Sequence, residues 1–344
     1  MMDILYLPKV GHYNLGWAKD LSRRHQGLEI FTHSTSWIDP ENGKRVSFTS
    51  ATDQKYFNEI TRLKLIQILF MSKGLFLIHG YGTAYELILI IFAKLRGRKV
   101  LVRGEFTPRR QSTGYRLKHF AKIFTAKFVD GFFPISSEGA IYLQSDLKYK
   151  GKVKILPYIV DDTLIQEIFI PEKREYDFVF VGKLIQRKGI SCLLKALKKY
   201  EGDQLIRVAI VGDGPLKSKL NDMMPSNVSI EYLGFLPPKE CYSIIAKSKV
   251  LVLPSIFETW GLVVNEALML GTNVVGSDTV GAMIELSDFS GKLFKFENNN
   301  EVDLLSKLMQ AVAMEENVWL PETDLGKYDI KNHNDRIISF INEV

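Results

Sequence analysis

Three observations in the 344-residue sequence predict an α/β protein of two consecutive domains, each built on a parallel sheet. Short apolar or β-branched runs alternate with helix-period stretches, the pattern of βαβ units. The alternation halts at a polar stretch, Glu172-Lys173-Arg174-Glu175, and then restarts, which places the junction near 160–176. At roughly 150 residues per domain, the length suits two ordinary cores, and the 46% hydrophobic content is enough to fill them. Ligands of open parallel sheets sit beyond the carboxyl ends of the strands, so two such sheets facing each other would frame a cleft.

In the first half, strands are predicted at Ile4–Leu7, Leu75–His79, Lys99–Arg103, Gly131–Ile135 and Val153–Leu156, with helices at Leu63–Met71, Ala84–Arg96 and Tyr115–Phe124. The N-terminal run through Pro8 lacks a basic lead and a small-residue cleavage site, so it reads as a first buried strand, not a signal peptide. Leu87–Ala93 closes at Lys94. That is short of the about 20 apolar residues a spanning helix needs, so it reads as a core helix. The second half repeats the pattern. Its strands are Asp177–Val181, Ile206–Val211, Val228–Tyr232, Val250–Leu253 and Asn273–Gly276. Its helices are Ile190–Tyr200, Leu216–Met224, Pro238–Lys247, Leu262–Leu270 and Val302–Ala313. No internal sequence repeat is visible.

Charge divides the chain in two. Residues 1–165 hold 25 Lys and Arg against 14 Asp and Glu, and residues 166–344 hold 20 against 25, so a net +6 conceals +11 and −5. A basic half suits an anionic substrate or a polyanionic surface. The two cysteines, Cys192 and Cys241, exclude a disulfide framework or a Cys-rich zinc module and fit a reducing compartment.

The densest chemistry lies in Leu253-Pro254-Ser255-Ile256-Phe257-Glu258-Thr259-Trp260-Gly261-Leu262-Val263-Val264-Asn265-Glu266. A strand ends, a loop carries Glu258, and Gly261 opens an apolar helix that contains Glu266. The free N–H groups at that helix start favour an anion, and carboxylates accept hydrogen bonds from sugar hydroxyls. Without further context, Glu258 reads equally well as a partner of the helix dipole and Glu266 as a solvent-facing helix residue.

These glutamates, with seven residues between them that include Trp-Gly-Leu, resemble the paired-glutamate motif of retaining family 4 glycosyltransferases. These are the glycosyl transferases group 1 of the GT-B fold. Three further segments match in order: Val179–Leu184 with Lys188-Gly189, Val211–Pro215, and Leu233-Gly234-Phe235. The resemblance is specific over 177–290 and diffuse over the first 160 residues. It implies two Rossmann-like domains facing across a cleft, with a C-terminal helix that crosses back. Residues 1–162 would bind the acceptor and 172–325 the nucleotide-sugar. The tail 326–344, with Ile337, Ile338 and Ile341 at helical spacing, would return to the first domain.

By the same resemblance, Glu258 takes the donor sugar and Glu266 the ribose. The Gly261, Leu262 and Val263 amides meet the diphosphate or the sugar, and Lys183 and Lys188 neutralise the diphosphate. Gly212, Gly214 and Phe235 complete the nucleotide side. Relatives usually carry arginine where Lys183 stands, and a lysine offers a point charge instead of a fork. No Asp-x-Asp motif ends a strand, so neither a metal nor a cofactor is expected. Gly212-Asp213-Gly214 lacks the third glycine of a dinucleotide fingerprint, which disfavours a nicotinamide enzyme.

In the first half, Val10-Gly11-His12-Tyr13-Asn14-Leu15-Gly16-Trp17 is expected as a loop before a helix, with Gly16 against the donor phosphates and Gly11 as second candidate. His79, Arg103 and Glu105 end strands and are acceptor-side candidates. Relatives often place a histidine at the Arg103 position, so that role does not transfer. Arg103 and Glu105 read equally well as binding groups or as a buried ion pair. Basic and aromatic residues interleave over Thr107–Phe124. That composition suits an anionic membrane surface or a phosphorylated lipid carrier, and reads equally well as a solvated helix face; no nucleic-acid module accompanies it.

The expectation is therefore a retaining hexosyltransferase without metal, using a nucleotide-sugar donor, with UDP-sugar favoured. The acceptor would be a glycan or a lipid-linked glycan in bacterial surface polysaccharide synthesis, such as lipopolysaccharide, O-antigen or capsule. The place is cytoplasmic, with peripheral contact at the inner face of the plasma membrane. The competing readings are a GT-B-like nucleotide-sugar epimerase and a non-catalytic nucleotide-sugar-binding homologue.

Overall fold

A computed structural model describes residues 2–8, 12–34, 36–38, 45–47, 54–71, 73–106, 115–160, 165–221, 224–286, 291–314 and 330–344. The chain forms two compact units, Met1–Asp161 with Lys327–Val344, and Asp162–Gly326.

Unit 1 runs β1 (Asp3–Leu7), α1 (His12–Arg24), β2 (Leu28–Thr32), β3 (Ser36–Ile38), β4 (Arg45–Ser47), β5 (Phe57–Glu59), α2 (Arg62–Met71), β6 (Leu75–His79), α3 (Ala84–Leu95), β7 (Lys99–Gly104), α4 (Tyr115–Ala126), β8 (Gly131–Pro134), α5 (Ser137–Ile141) and β9 (Lys152–Val153). Its main sheet has the order β5-β2-β1-β6-β7-β8-β9, all parallel, while β3 and β4 pair separately as an antiparallel hairpin. Central strands such as β1 and β6 are apolar runs because helices cover both of their faces. Ile4, Tyr6, Phe76 and Ile78 join Leu65, Leu69, Leu89 and Ile90 on one side. Leu5, Leu7, Leu77 and Phe133 join Trp17, Leu21, Ile337 and Phe340 on the other. α3 starts at a capping box in which Thr83 and Glu86 satisfy each other's backbone N–H groups.

The last helix, α11 (Ile330–Glu343), belongs to unit 1. Asn334 Nδ2 donates to Trp17 O and to Asp20 Oδ2, both at 2.8 Å, and Arg24 meets Asp335 at 3.0 Å. The Phe340 ring packs 4.7 Å from that of Phe133.

Unit 2 runs β10 (Tyr176–Val181), a 3-10 turn (Gln186–Lys188), α6 (Ile190–Lys198), β11 (Ile206–Val211), a 3-10 turn (Lys217–Asn221), β12 (Val228–Gly234), α7 (Pro238–Ala246), β13 (Ser248–Leu253), α8 (Leu262–Met269), β14 (Asn273–Ser277), α9 (Gly281–Glu285), β15 (Leu293–Phe296) and α10 (Glu301–Ala313). Its parallel sheet has the order β12-β11-β10-β13-β14-β15. Counted from each unit's first strand and leaving the hairpin aside, both sheets read 3-2-1-4-5-6, the doubly wound Rossmann order; unit 1 adds β9 as a seventh strand. The expected pair of α/β domains is therefore present. The order reverses between β1 and β6 in unit 1 and between β10 and β13 in unit 2. The carboxyl ends of those strands are where such sheets bind ligands.

Two local expectations differ from the structure. α1 begins at His12, so most of the stretch expected as a loop is already helical, and Trp17, Ala18 and Leu21 are buried at helical spacing along it. The predicted helix Leu216–Met224 is only the 3-10 turn Lys217–Asn221 among the described residues.

Candidate functional site

Beside the reversal point of unit 2, the exits of β10, β11 and β12 are laced together by main-chain bonds. Gly182 N donates to Val211 O at 3.0 Å, Gly212 N to Gly234 O at 2.7 Å, and Leu184 N to Asp213 O at 2.8 Å. After β10 the chain turns through Gln186–Lys188 to Gly189, whose φ is 72°. A Cβ at Gly189 would lie 1.7 Å from Pro254 O, so only glycine lets the two loops touch. Ile256 N donates to Arg187 O at 2.9 Å, a second tie between the same loops.

This contact delivers the charges to one another. Lys188 Nζ donates to Glu258 Oε2, and Arg187 Nη1 reaches the same oxygen at 3.3 Å and Phe257 O at 3.0 Å. Lys188 and Glu258 are mostly buried, while Arg187 is half-exposed. The Glu258 loop is fixed from behind, where Gly281 N donates to Glu258 O at 3.1 Å and Asn298 Nδ2 to Ile256 O at 3.0 Å. Arg187 is not among the residues expected from sequence, because a basic residue in a loop carries no signal of its own. Only the adjoining Lys188-Gly189 step points there.

α8 starts at Gly261, which has φ 93° and provides no side-chain cap. The left-handed conformation turns the chain sharply, so the first amides of the helix stay free for an anion. Gly261, Leu262 and Val263 are partly exposed at that end. Glu266 sits one turn further in and is buried, with Tyr242 Oη donating to its Oε1 at 3.2 Å. Burial pushes its carboxyl up to about 7, against the opposing pull of the Tyr242 bond. Glu266 in turn helps burial raise the neighbouring Cys241 thiol to about 12. A solvent-facing Glu266 is thereby ruled out. Trp260, also buried, donates from Nε1 to Asn265 Oδ1 at 2.9 Å and anchors the loop to the helix.

The remaining candidates of unit 2 surround this centre at varied depth. Lys183 is exposed, and its side chain has no hydrogen-bond or ion-pair partner among the described residues. Phe235 stands out after β12 at 76% exposure, available for stacking. Gly212 and Gly214 lie in the turn after β11. Among the described residues, no group of three or more His, Cys, Asp or Glu side chains is placed to hold a metal ion.

Unit 1 offers a different centre. Arg103, at the end of β7, is completely buried. Its guanidinium lies 5.0 Å from the Trp17 ring centroid and 4.9 Å from that of Tyr158, and Nη1 is 3.3 Å from His79 Nδ1. Burial first, and then the Arg103 charge, hold the His79 imidazole down to about 3. His333 of α11, 5.6 Å from Trp17 between ring centroids, is held well below its ordinary value for the same reasons, with Arg336 adding to them. Both imidazoles are therefore neutral at pH 7. Glu105 is exposed and accepts from Tyr158 Oη at 3.4 Å. Of the two equal readings of Arg103 and Glu105, the buried ion pair does not hold, because Glu105 is exposed and Arg103 is enclosed by the Trp17 and Tyr158 rings. Gly16 lies inside α1 and not in a loop, which corrects its expected place, while Gly11 lies outside the described residues.

Comparison with known proteins is consistent with this geometry. Residues 161–322 match the family Glycosyl transferases group 1, so the second unit carries a domain of that family. An uncharacterized glycosyltransferase of Methanocaldococcus jannaschii, MJ1178, is 24% identical over 326 residues, spanning 92% of this chain and 89% of its own length. A second from the same organism, MJ1607, is 32% identical over 111 residues, which is 31% of this chain and only 28% of that protein. The solved structure of Anabaena HepE in complex with UDP superposes with a TM-score of 0.68 at 14% identity, covering 100% of both chains. At that identity the likeness establishes the fold, that of GT-B glycosyltransferases.

Proposed function

We propose that this chain, with its Glycosyl transferases group 1 domain, is a retaining glycosyltransferase that moves a hexose from a nucleotide-sugar to a hydroxyl of a glycan or lipid-linked acceptor. The observation that carries the reading is the Lys188–Glu258 pair, held at the reversal point of the unit 2 sheet ahead of the free end of α8. The leaving group of such a reaction is a nucleoside diphosphate, and the work of the site is to stabilise its growing negative charge. Lys188, Lys183 and the Gly261–Val263 amides supply positive potential for that purpose without a metal. Glu258 fixes Lys188 before the donor arrives and offers acceptor oxygens to hydroxyls of the sugar.

Glu266, one turn deeper, accepts from the ribose hydroxyls, with Tyr242 holding its other oxygen. The donor is a UDP-sugar, a reading that the UDP complex of HepE supports. The acceptor is assigned to unit 1, whose half of the sequence carries the positive excess. A role in bacterial surface polysaccharide synthesis, including lipopolysaccharide, follows from such an acceptor.

Thermal stabilisation by a panel of UDP-, GDP- and ADP-sugars, followed by transfer assays with the stabilising donor, tests the reading. Stabilisation by UDP-sugars, with loss of transfer in Glu258→Ala, is expected. Product isolated from such an assay carries the donor's anomeric configuration, which proton NMR reads directly. Stabilisation without transfer to any acceptor would favour an epimerase or a binding protein, and no stabilisation by any nucleotide would overturn the enzyme reading altogether.

A further inference from the structure

The outer surface of three neighbouring helices in unit 1 is apolar where a solvated helix should be polar. α2, α3 and α4 cover one face of the sheet, and Leu65, Leu69, Leu89, Ile90, Ala93 and Ala126 from them enter a single core. α2 and α3 are clamped at both ends. Tyr85 Oη donates to Arg62 O at 2.9 Å, and Arg96 Nε donates to Phe70 O at 2.8 Å with its guanidinium 4.6 Å from the Phe70 ring centroid.

Each helix carries a second apolar stripe away from that core. On α2 it is Leu63, Phe70 and Met71, spaced i, i+7, i+8. On α3 it is Ile88, Phe92 and Leu95, spaced i, i+4, i+7, and on α4 Leu117, Phe120 and Phe124, spaced i, i+3, i+7. All nine are exposed, Met71 at 85%, Leu117 at 77% and Leu95 at 71%. Single exposed apolar residues are ordinary, but adjoining stripes on neighbouring helices make a contiguous patch, which marks an interaction surface.

Charge decides what covers it. Lys64, Lys73, Arg96, Arg116, Lys118 and Lys127 surround the stripes. Across 62–73, 84–98 and 115–127 the only carboxylate is Glu86, which is buried and accepts from Gly82 N at 2.6 Å and Thr83 N at 2.9 Å. A second copy of this face would bring like charges together. An anionic bilayer offers the opposite charge together with apolar depth. We propose that the α2–α3–α4 face docks peripherally on an anionic lipid bilayer, its apolar stripes at the headgroup boundary and its lysines and arginines on the lipid phosphates. The inference is independent of the transfer chemistry, since none of these side chains belongs to the site in unit 2.

The test is co-sedimentation of the full chain with phosphatidylcholine vesicles, with and without phosphatidylglycerol. Binding to the mixed vesicles, little to the neutral ones, and release when salt rises from about 0.1 M to about 1 M are expected. The triple variant Phe70→Ser, Leu95→Ser, Phe120→Ser reduces partition roughly tenfold or more. Lys118→Glu with Lys127→Glu does the same through charge and leaves the apolar stripes intact, so it stands even if the triple variant folds poorly. Failure to bind mixed vesicles, or unchanged binding by the charge variant, overturns the proposal. So does a concentration-dependent dimer in sedimentation velocity that the triple variant abolishes, because the face would then belong to a second copy. Stabilisation by nucleotide, read in the same samples, distinguishes failure of this inference from failure of the glycosyltransferase reading.

Discussion

The two units share a strand order yet bury opposite charges at their centres. Unit 1 encloses the Arg103 cation between aromatic faces and keeps two imidazoles neutral around it. Unit 2 encloses the Glu266 carboxyl, pushed towards neutral pH by burial, and leaves its cations nearer the surface on Glu258. One scaffold therefore hosts two electrostatic regimes, set by a few side chains at strand exits and helix starts. The clearest consequence is that the units respond to pH with opposite sign.

For His79 the folded value lies below the ordinary 6.5, so its contribution is fully present above 6.5 and is lost as pH falls towards about 3. For Glu266 the folded value lies above the ordinary 4.5, so its contribution is fully present below 4.5 and is lost as pH rises through about 7. Each effect amounts to a few kcal/mol, since a tenfold change in a proton-binding equilibrium corresponds to about 1.4 kcal/mol. Between the two ordinary values, acidification should loosen β1 and β6 while it tightens β10 and β13. Native-state hydrogen exchange, corrected for intrinsic rates, reads this directly. His79→Gln should flatten the first slope and Glu266→Gln the second. If both units weaken together on acidification, the contrast between them fails.

Next in size is Lys188→Ala. Removing one positioned donor from a developing anion lowers turnover about 10²- to 10³-fold, or about 3–4 kcal/mol. Steady-state transfer kinetics check this, and exchange protection in unit 1 should not change. Gly189→Ala follows, because a methyl group there meets Pro254 O and sits at φ 72°. A cost of about 2 kcal/mol is expected. At about 2–4 °C per kcal/mol for a unit of this size, calorimetry should show a fall of about 4–8 °C in the unit 2 transition. Smallest is Lys249→Ala, which removes a 2.9 Å pair with Asp177 at the start of the sheet. Partly exposed pairs contribute about 0–1 kcal/mol, so its melting temperature should stay within a few degrees of the parent.

Legibility differs between the units for physical reasons. Leu75–His79 shows as an apolar run, and Ile206–Val211 as four buried apolar residues after one exposed charge, Arg207; the bounds of both are those predicted. Leu28–Thr32 and Leu293–Phe296 are absent from the predicted strands because Glu29 and Lys295 point outward and interrupt the run. Glu258, Glu266 and Lys188 can be named as residues only through the motifs they resemble, since a lone charge in a loop or helix reads equally well as a dipole partner or a solvated side chain. Their pairing cannot, because Lys188 and Glu258 are 70 residues apart and meet only through the Gly189–Pro254 contact. The Arg103 cage is less accessible still. Trp17, His79 and His333 come from three separate elements and Tyr158 from a loop, and no local spacing foretells that they converge.

The position of α11 also dictates an order of assembly. Unit 2 is encoded second but is continuous, so it can close as soon as its own residues leave the ribosome. Unit 1 is encoded first yet must wait. Until residues 333–341 are made, Trp17 O lacks the Asn334 amide and the sheet face around Phe133 lacks the Phe340 ring. The nascent first unit therefore spends the whole synthesis of the second with part of its apolar sheet uncovered. A frameshift or protease cut near the tail would cripple the region made earliest while sparing the one just completed.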